Sequence, residues 1–335
     1  MTAVPIVTRP LAPIQPLVET EIVDRPLRNV RSLTDGSRPY RLAAWSPIGP
    51  YVALLPQDGP GLDLVDTRTG AITSTVTGTY VLEPVWTDEG DLLLHQSVDG
   101  LDSLSLYDPE RGLDPTPLVA GPRLAAADYA SAMLAFVRED EVLVCPRRCS
   151  ATPQSIASGG ALTTAMAPGR VRHSWLAWTP TVEDLEQVQT VVIAVDSEEV
   201  NRATYAPQPL SNVGEGLWLP RWSPDATRVV MTGIGGRLAV ATIDGSARQD
   251  LGPGDSPAWS ADGRLIAFAG ASAGLDYTTR DIHLIRADGT GRRTRLTDAG
   301  PEQLYLSPSW SPDGRQLAFV ELDSGQLFVG NVPDL

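Results

Sequence analysis

Apolar residues in this chain fall into short runs rather than helical stripes. Leu265-Ile-Ala-Phe-Ala269, Gln316-Leu-Ala-Phe-Val320, Met133-Leu-Ala-Phe-Val137, Tyr51-Val-Ala-Leu-Leu55 and Arg228-Val-Val-Met-Thr232 are each about five residues long and bounded by turn residues. Runs of that length, rich in β-branched and aromatic residues, read as strands apolar on both faces. Each follows a Trp or its substitute and a tight turn, as in Pro257-Ala-Trp-Ser-Ala-Asp-Gly263 and Pro308-Ser-Trp-Ser-Pro-Asp-Gly314. Asp-Gly supplies the positive-φ position that tight hairpins require. Helical patterning is scarce, and the polar run 181–187 is too short to carry a helical domain.

The unit repeats. Its anchors are Trp45, Trp86, Trp222, Trp259 and Trp310, with degenerate copies anchored at Ala127 and Met166. Spacings of roughly 40–55 residues suit one four-stranded propeller blade each, two of them with extra loop. In the sixth unit the inner strand is 257–259, the second 265–269, the third 281–286 and the outer 293–296. The seventh unit ends one strand short, at Leu335, while 29–36 reads like the outer-strand ending 293–300. Pairing that N-terminal strand into the last blade would close the ring and remove an exposed edge. The expected fold is therefore all-β: a seven-bladed propeller of four-stranded antiparallel blades, with six blades as the alternative count. Residues 1–20 form a Pro-rich extended tail and 21–335 a single propeller domain.

Pro-x-Trp-Ser-Pro-Asp-Gly, then Leu-Ala-Phe, then Asp281-Ile-His-Leu-Ile-Arg-Ala-Asp-Gly-Thr-Gly291 and Arg295-Leu-Thr297 resembles the repeat of TolB-like, WD-like propellers. The resemblance is close over 220–320, looser over 40–119 and weak over 123–205. It implies the propeller fold. By that resemblance the function expected is one of those the class serves: periplasmic assembly factor, sensor ectodomain or gating propeller of a peptidase.

Composition narrows the chemistry. All 26 basic residues are arginine and the net charge is −15. Without lysine there is no Schiff-base or phosphate-loop lysine. An acidic surface argues against nucleic acid, which needs a basic face for counterion release. No stretch reaches the ~18–20 apolar residues of a membrane span, so direct membrane insertion is not expected. The N-terminal prolines Pro5, Pro10, Pro13 and Pro16 make an extended tether. The expectation is a bacterial, extracytoplasmic domain of a larger membrane-anchored protein; a ragged terminus and a cytoplasmic location are the competing readings. Cys145 and Cys149 bracket Pro-Arg-Arg, and either a local disulfide or two free thiols fits that spacing.

Extra residues collect in the second-to-third and outer-to-next-inner loops, which share one face of a propeller. Segments 179–187, 206–219, 270–280 and 297–307 bring Glu183, Asp184, Glu215, Trp218, Tyr277, Arg280, Glu302 and Tyr305 towards one rim. Aromatics with Arg and carboxylates suit a protein or peptide partner. The turn residues Asp225, Asp262 and Asp313 read as backbone-bonding turn aspartates, not as a calcium loop. No cofactor is expected; calcium in a propeller channel stays open, with no residues to place it. His95 and His283 fall in strands and His173 in a turn. There is no Gly-x-Ser-x-Gly elbow and no His-Glu-x-x-His. The Arg292, Arg293, Arg295 cluster reads as solvent-facing. The leading expectation is a non-catalytic interaction or scaffold domain. The alternative is a propeller hydrolase or lyase with carboxylates in the central channel.

Overall fold

The structure is a computed structural model. It describes residues 11–17, 22–76, 80–81, 84–112, 114–130, 133–146, 149, 152–159, 161, 163–167, 173–181, 188–196, 207–271 and 279–334.

Seven antiparallel sheets follow one another in chain order, as a seven-bladed propeller requires. Blade 1 holds strands Tyr40–Trp45, Tyr51–Pro56, Leu62–Asp66 and Ile72–Val76. Blades 2 to 6 repeat the order over 80–121, 124–158, 163–209, 217–253 and 255–295. Blade 7 is built from Tyr305–Trp310, Gln316–Glu321 and Leu327–Asn331, and its outer strand is the N-terminal Arg28–Ser32. Arg28 pairs with Asn331, Arg31 with Val329 and Ser32 with Phe328, so head and tail share the last sheet as the sequence predicted.

The N-terminal segment does more than close the ring. Gln15 bridges in parallel to Gln249 on the outer strand of blade 5. Val23–Asp24 then adds in parallel to Thr294–Arg295 as a fifth strand of blade 6. Residues 11–17 and 23–32 thus cover the outer edges of blades 5, 6 and 7 in turn. Proline suits this role, since an edge strand needs its N–H groups on one side only.

The described apolar core divides into seven clusters, one at each blade junction. This follows from the second strands. Leu-Ala-Phe runs face neighbouring blades with both sides, so alternate residues enter different clusters. Ala267 and Ala269 pack towards blade 7, and Ile266 and Phe268 towards blade 5.

The third repeat corrects the sequence reading. Trp222 pairs with Val229, Trp259 with Ile266 and Trp310 with Leu317, and at the matching register Tyr129 pairs with Leu134. The blade 3 anchor is Tyr129 and not Ala127, because the connection to its second strand is shorter: Tyr129 faces Leu134, while Trp222, Trp259 and Trp310 face residues further along the chain, Val229, Ile266 and Leu317. A second correction concerns Arg293. It is buried, its guanidinium lies 4.8 Å from the Phe268 ring centre, and it donates to the carbonyl oxygens of Leu251 at 2.9 Å and Pro253 at 2.5 Å. It joins blades 5 and 6 and is not solvent-facing. His173, expected in a turn, opens the second strand of blade 4.

Candidate functional site

The inner strands line an axial channel, and one local device recurs along its wall. Ala126, Leu219, Ser256 and Ser307 are non-glycine residues with φ between 44° and 52°, each three residues before its blade anchor. Each sits where the inner strand's pairing with the second strand shifts register. Pro220, Pro257 and Pro308 follow three of them. A residue without an N–H belongs at a bulge, where the ladder is already broken. The left-handed φ of an ordinary residue costs about 1–2 kcal/mol and is held by its surroundings.

On the long-loop side the channel opens into a cavity of about 440 Å³ bordered by Leu42, Trp86, Thr232, Asp255, Ser256 and Ser307. Asp255 pairs there with Arg280, and the Arg280 N–H donates to the Gln303 carbonyl at 3.0 Å. Deeper, a cavity of about 200 Å³ is lined by residues of blades 2 to 5, among them His95, Asp128, Thr163 and Arg221. Burial lowers the His95 pKa, opposed only in part by Asp102. Asp128 accepts from the Tyr129 N–H at 2.8 Å and, across the blade boundary, from the Met166 N–H at 2.7 Å.

The predicted rim residues separate into three groups. Glu183, Asp184 and Tyr277 lie outside the described residues. Glu215, Arg280, Tyr305 and Trp218 are described and engaged in the fold. Glu215 pairs with the buried Arg248 and accepts from the Asn212 N–H at 2.8 Å. Tyr305 is an inner-strand residue whose ring meets Phe319 edge-on at 5.3 Å and Phe328 at 6.3 Å. Trp218 pairs with Thr232 in the inner sheet of blade 5, and Arg280 opens a strand. Glu302 alone of the five stands exposed in a turn, with φ 65°. Arg280 bridges to Leu304, which brings it beside Glu302 and Tyr305 at the junction of blades 6 and 7, while Glu215 and Trp218 belong to blade 5.

What the sequence reading missed is apolar. Among the described residues, Val98, Leu101, Val213 and Ile234 are large hydrophobics between 51% and 61% exposed, and all four sit in second-to-third or inter-blade connections of the long-loop face. Among the described residues the opposite face carries two exposed large hydrophobics, Ile48 in the first hairpin of blade 1 and Ile72 at the start of its outer strand. Val213 and Ile234 flank the same inner-strand start, where the Ile234 N–H donates to the Gly216 carbonyl at 2.9 Å. A Val or Ile at a hairpin tip between turn residues is the signal that could have found them.

The hairpin face is held by turn chemistry. Ser223, Ser260 and Ser311 donate to Asp225, Asp262 and Asp313 at 2.6 to 2.7 Å, and the same aspartates accept from the N–H two residues on. Cys145 and Cys149 come together with Cα atoms 5.0 Å apart, inside the span a disulfide bridges.

Fold and channel define a seven-bladed β-propeller. No family model matches the chain. A protein TolB homolog of Chlorobium luteolum is 33% identical over 121 residues, a match covering 33% of this chain and 25% of that relative. Among solved structures, RRP9 WD40 repeats superpose with a TM-score of 0.65 at 11% identity, covering 92% of this chain and 99% of that one. An oligogalacturonate lyase from Vibrio parahaemolyticus gives 0.65 at 12% identity, covering 94% and 97%. The Cps50 (Swd1) propeller domain from Myceliophteria thermophila gives 0.62 at 13%, covering 91% and 100%. At these identities the solved structures share the fold alone.

Proposed function

We propose that this chain is a non-catalytic interaction propeller that takes a protein or peptide partner on its long-loop face. The observation behind the reading is the uneven distribution of exposed apolar side chains among the described residues: Val98, Leu101, Val213 and Ile234 on that face, against Ile48 and Ile72 on the other. Exposed aliphatic side chains on a rigid ring of loops favour a partner that buries them. Likeness to a TolB homolog and to WD40 repeats is consistent with this use of the fold. The partner surface is a mixed one, apolar at Val213 and Ile234 with arginine and carboxylate at its margin. A photo-crosslinker at position 213 is expected to capture protein in the source cell where one at position 48 does not. Capture from position 48 alone would overturn the reading. An extracytoplasmic location accords with the TolB likeness and with the approach of Cys145 to Cys149. Alkylation under denaturing, non-reducing conditions tests it: protein drawn from that compartment is expected to take up no label at either cysteine.

A second reading, a propeller lyase or hydrolase, is favoured by the likeness to the oligogalacturonate lyase and by Asp128 and Asp255 in the channel wall. Both carboxylates are already engaged, Asp128 with two backbone N–H groups and Asp255 with Arg280, which leaves the binding reading ahead. Turnover of a uronide polymer that is lost in Asp128→Asn would reverse that order.

A further inference from the structure

Residues 11–17 lie on the outer edge of blade 5 as a ligand lies in a groove. Leu11-Ala-Pro-Ile-Gln-Pro-Leu17 has an aliphatic residue at every third position, with Pro13 and Pro16 between them. A proline-rich extended chain turns once in three residues, so Leu11, Ile14 and Leu17 share one side. That side faces the propeller. Ile14 packs into the cluster between blades 4 and 5, and Leu17 into the one between blades 5 and 6. A Cβ at Gly245 would collide with Leu11 Cδ2, and one at Gly252 would stand 2.9 Å from Leu17 Cδ2. Pro13, Gln15 and Pro16 point the other way and are exposed.

Blade 5 also reads the main chain of this segment. The Ala12 N–H donates to the Gly245 carbonyl at 3.1 Å and the Gln15 N–H to the Arg248 carbonyl at 2.8 Å. In return the Asp250 N–H donates to the Gln15 carbonyl at 2.9 Å, and the Gln249 amide reaches the carbonyls of Gln15 at 3.2 Å and Pro16 at 3.4 Å. The Arg248 guanidinium donates to the Ala12 carbonyl at 3.3 Å. That arginine is buried and paired with Glu215, which itself accepts from the Asn212 N–H, so the propeller and not the tail holds the donor in place. Contacts to main-chain atoms accept many sequences; the two glycine-floored hollows select among them by the spacing of aliphatic side chains. The hold on the tail is light: one isolated parallel bridge at Gln15, and anchors that stay partly exposed. Segments held in this way open locally, well below the cost of global unfolding.

We propose that the outer edge of blade 5 is a recognition groove for an extended segment of a partner protein with the pattern aliphatic-x-Pro-aliphatic-x-Pro-aliphatic, and that residues 11–17 fill it in cis until the partner displaces them. Ring closure does not require the contact, since Arg28–Ser32 closes blade 7 separately. The occupant is another protein and not a second copy of this chain. An identical tail in trans competes with one tethered at about millimolar effective concentration and gains nothing by the exchange. A partner with a second foothold on the propeller competes on equal terms. The groove stands on its own contacts and does not depend on the exposed aliphatic residues of the long-loop face.

A fluorescein-labelled peptide of residues 11–17 tests this by anisotropy against two full-length chains. One is wild type; the other carries Leu11→Asp, Ile14→Asp and Leu17→Asp, so that its own tail no longer fits. The variant is expected to bind the peptide at least about tenfold more tightly than wild type. Adding Gln249→Ala to the variant is expected to weaken that binding, and a peptide with its aliphatic residues moved off the three-residue spacing is expected not to bind. Hydrogen exchange on the wild-type chain needs no variant. The Gln15 amide is expected to exchange at least about a hundredfold faster than that of the buried Phe268, and faster again with unlabelled peptide present. No binding to the variant, equal binding of the respaced peptide, or a Gln15 amide that exchanges only with the core would overturn the proposal. So would a wild-type dimer in sedimentation that the tail substitutions dissolve, which would give the groove to a second copy. Crosslinking from position 213 is unaffected by any of these results, so the two readings fall separately.

Discussion

The indole N–H of Trp222 donates to the carbonyl of Ala165, 2.7 Å away in the preceding blade. The contact belongs to a series. Trp86 donates to Ala44 at 2.8 Å, Trp259 to Arg221 at 3.0 Å and Trp310 to Ala258 at 3.1 Å. In each case the acceptor is the residue just before the anchor of the previous blade. Where the next anchor has no indole, or turns it elsewhere, a side chain takes over. Asp128 accepts the Met166 N–H, and Ser309 accepts the Trp45 N–H at 2.8 Å, joining blade 7 to blade 1. The anchor tryptophans are therefore inter-blade latches as well as wedge fillers.

Two substitutions at Trp222 separate those roles. Trp222→Phe keeps a ring in the wedge and leaves the Ala165 carbonyl unpaired, so a loss of about 1–2 kcal/mol is expected. Trp222→Ala empties the wedge as well and is expected to cost about 3–5 kcal/mol. Urea unfolding midpoints read both. Equal losses in the two variants would mean that the latch itself carries the stability.

Head-to-tail closure depends on one close approach. Gly325 has φ 62°, and a Cβ there would meet Pro39 Cα at 2.3 Å. Its carbonyl accepts the Tyr40 N–H at 2.9 Å. Gly325→Ala is expected to cost upwards of about 2 kcal/mol, the left-handed penalty plus displacement of the 38–40 segment. Gly59, also left-handed but in open space, is the control. Gly59→Ala is expected to cost about 1 kcal/mol, and a comparable loss at both positions in thermal melts would show that backbone conformation alone is responsible.

The ring itself was legible because its unit is written out in residues: the Trp, the Asp-Gly turn and the Leu-Ala-Phe run each have one structural consequence. The closing strand was legible from the likeness of 29–36 to 293–300. Tyr129 was missed because the hairpin of blade 3 is shorter than its counterparts and lacks their turn aspartate, which changes the count between anchor and second strand. Burial of Arg293 was missed because strand alternation says which face a residue occupies and not whether a neighbouring blade covers that face. The rim residues were chosen for charge and aromaticity. In a closely packed ring those are the groups most easily recruited into the fold, as Glu215 and Tyr305 are.

Tyr305 follows from that last point. Its ring packs on Phe319 and Phe328 at the junction of blades 6 and 7. Tyr305→Ala is expected to lower stability by about 3–4 kcal/mol through the cavity it leaves. Tyr305→Phe is expected to be nearly neutral. A Tyr305→Ala protein that melts like wild type but no longer crosslinks a partner would instead assign the ring to recognition.

His283 gives the fold a pH dependence. It lies fully buried in the third strand of blade 6, stacked on Phe268 with ring centres 5.5 Å apart. Burial, and then the nearby Arg293 and Arg295, push its pKa down from 6.5 to about 4, against the pull of Asp281 and a hydrogen bond with the Gly270 backbone. The unfolded chain therefore takes up this proton as pH falls through 6.5, while the folded chain refuses it until about pH 4. Between those values the unfolded state binds more protons, so the His283 contribution to stability declines with falling pH and levels off below about 4. The full difference is on the order of 3 kcal/mol. The hydrogen-bonded Asp288, held at about 2, stays charged in the folded protein throughout that window, and because its ordinary value is 3.8 its own contribution to stability is lost mainly below pH 4. His283→Phe removes the titrating group and keeps the stack on Phe268. Its unfolding free energy is expected to be flatter than wild type between pH 6.5 and pH 4, with the two curves closest at neutral pH. If wild type and variant decline in parallel across that window, the imidazole is reached by solvent or bonded in solution, and the acid sensitivity belongs to other groups.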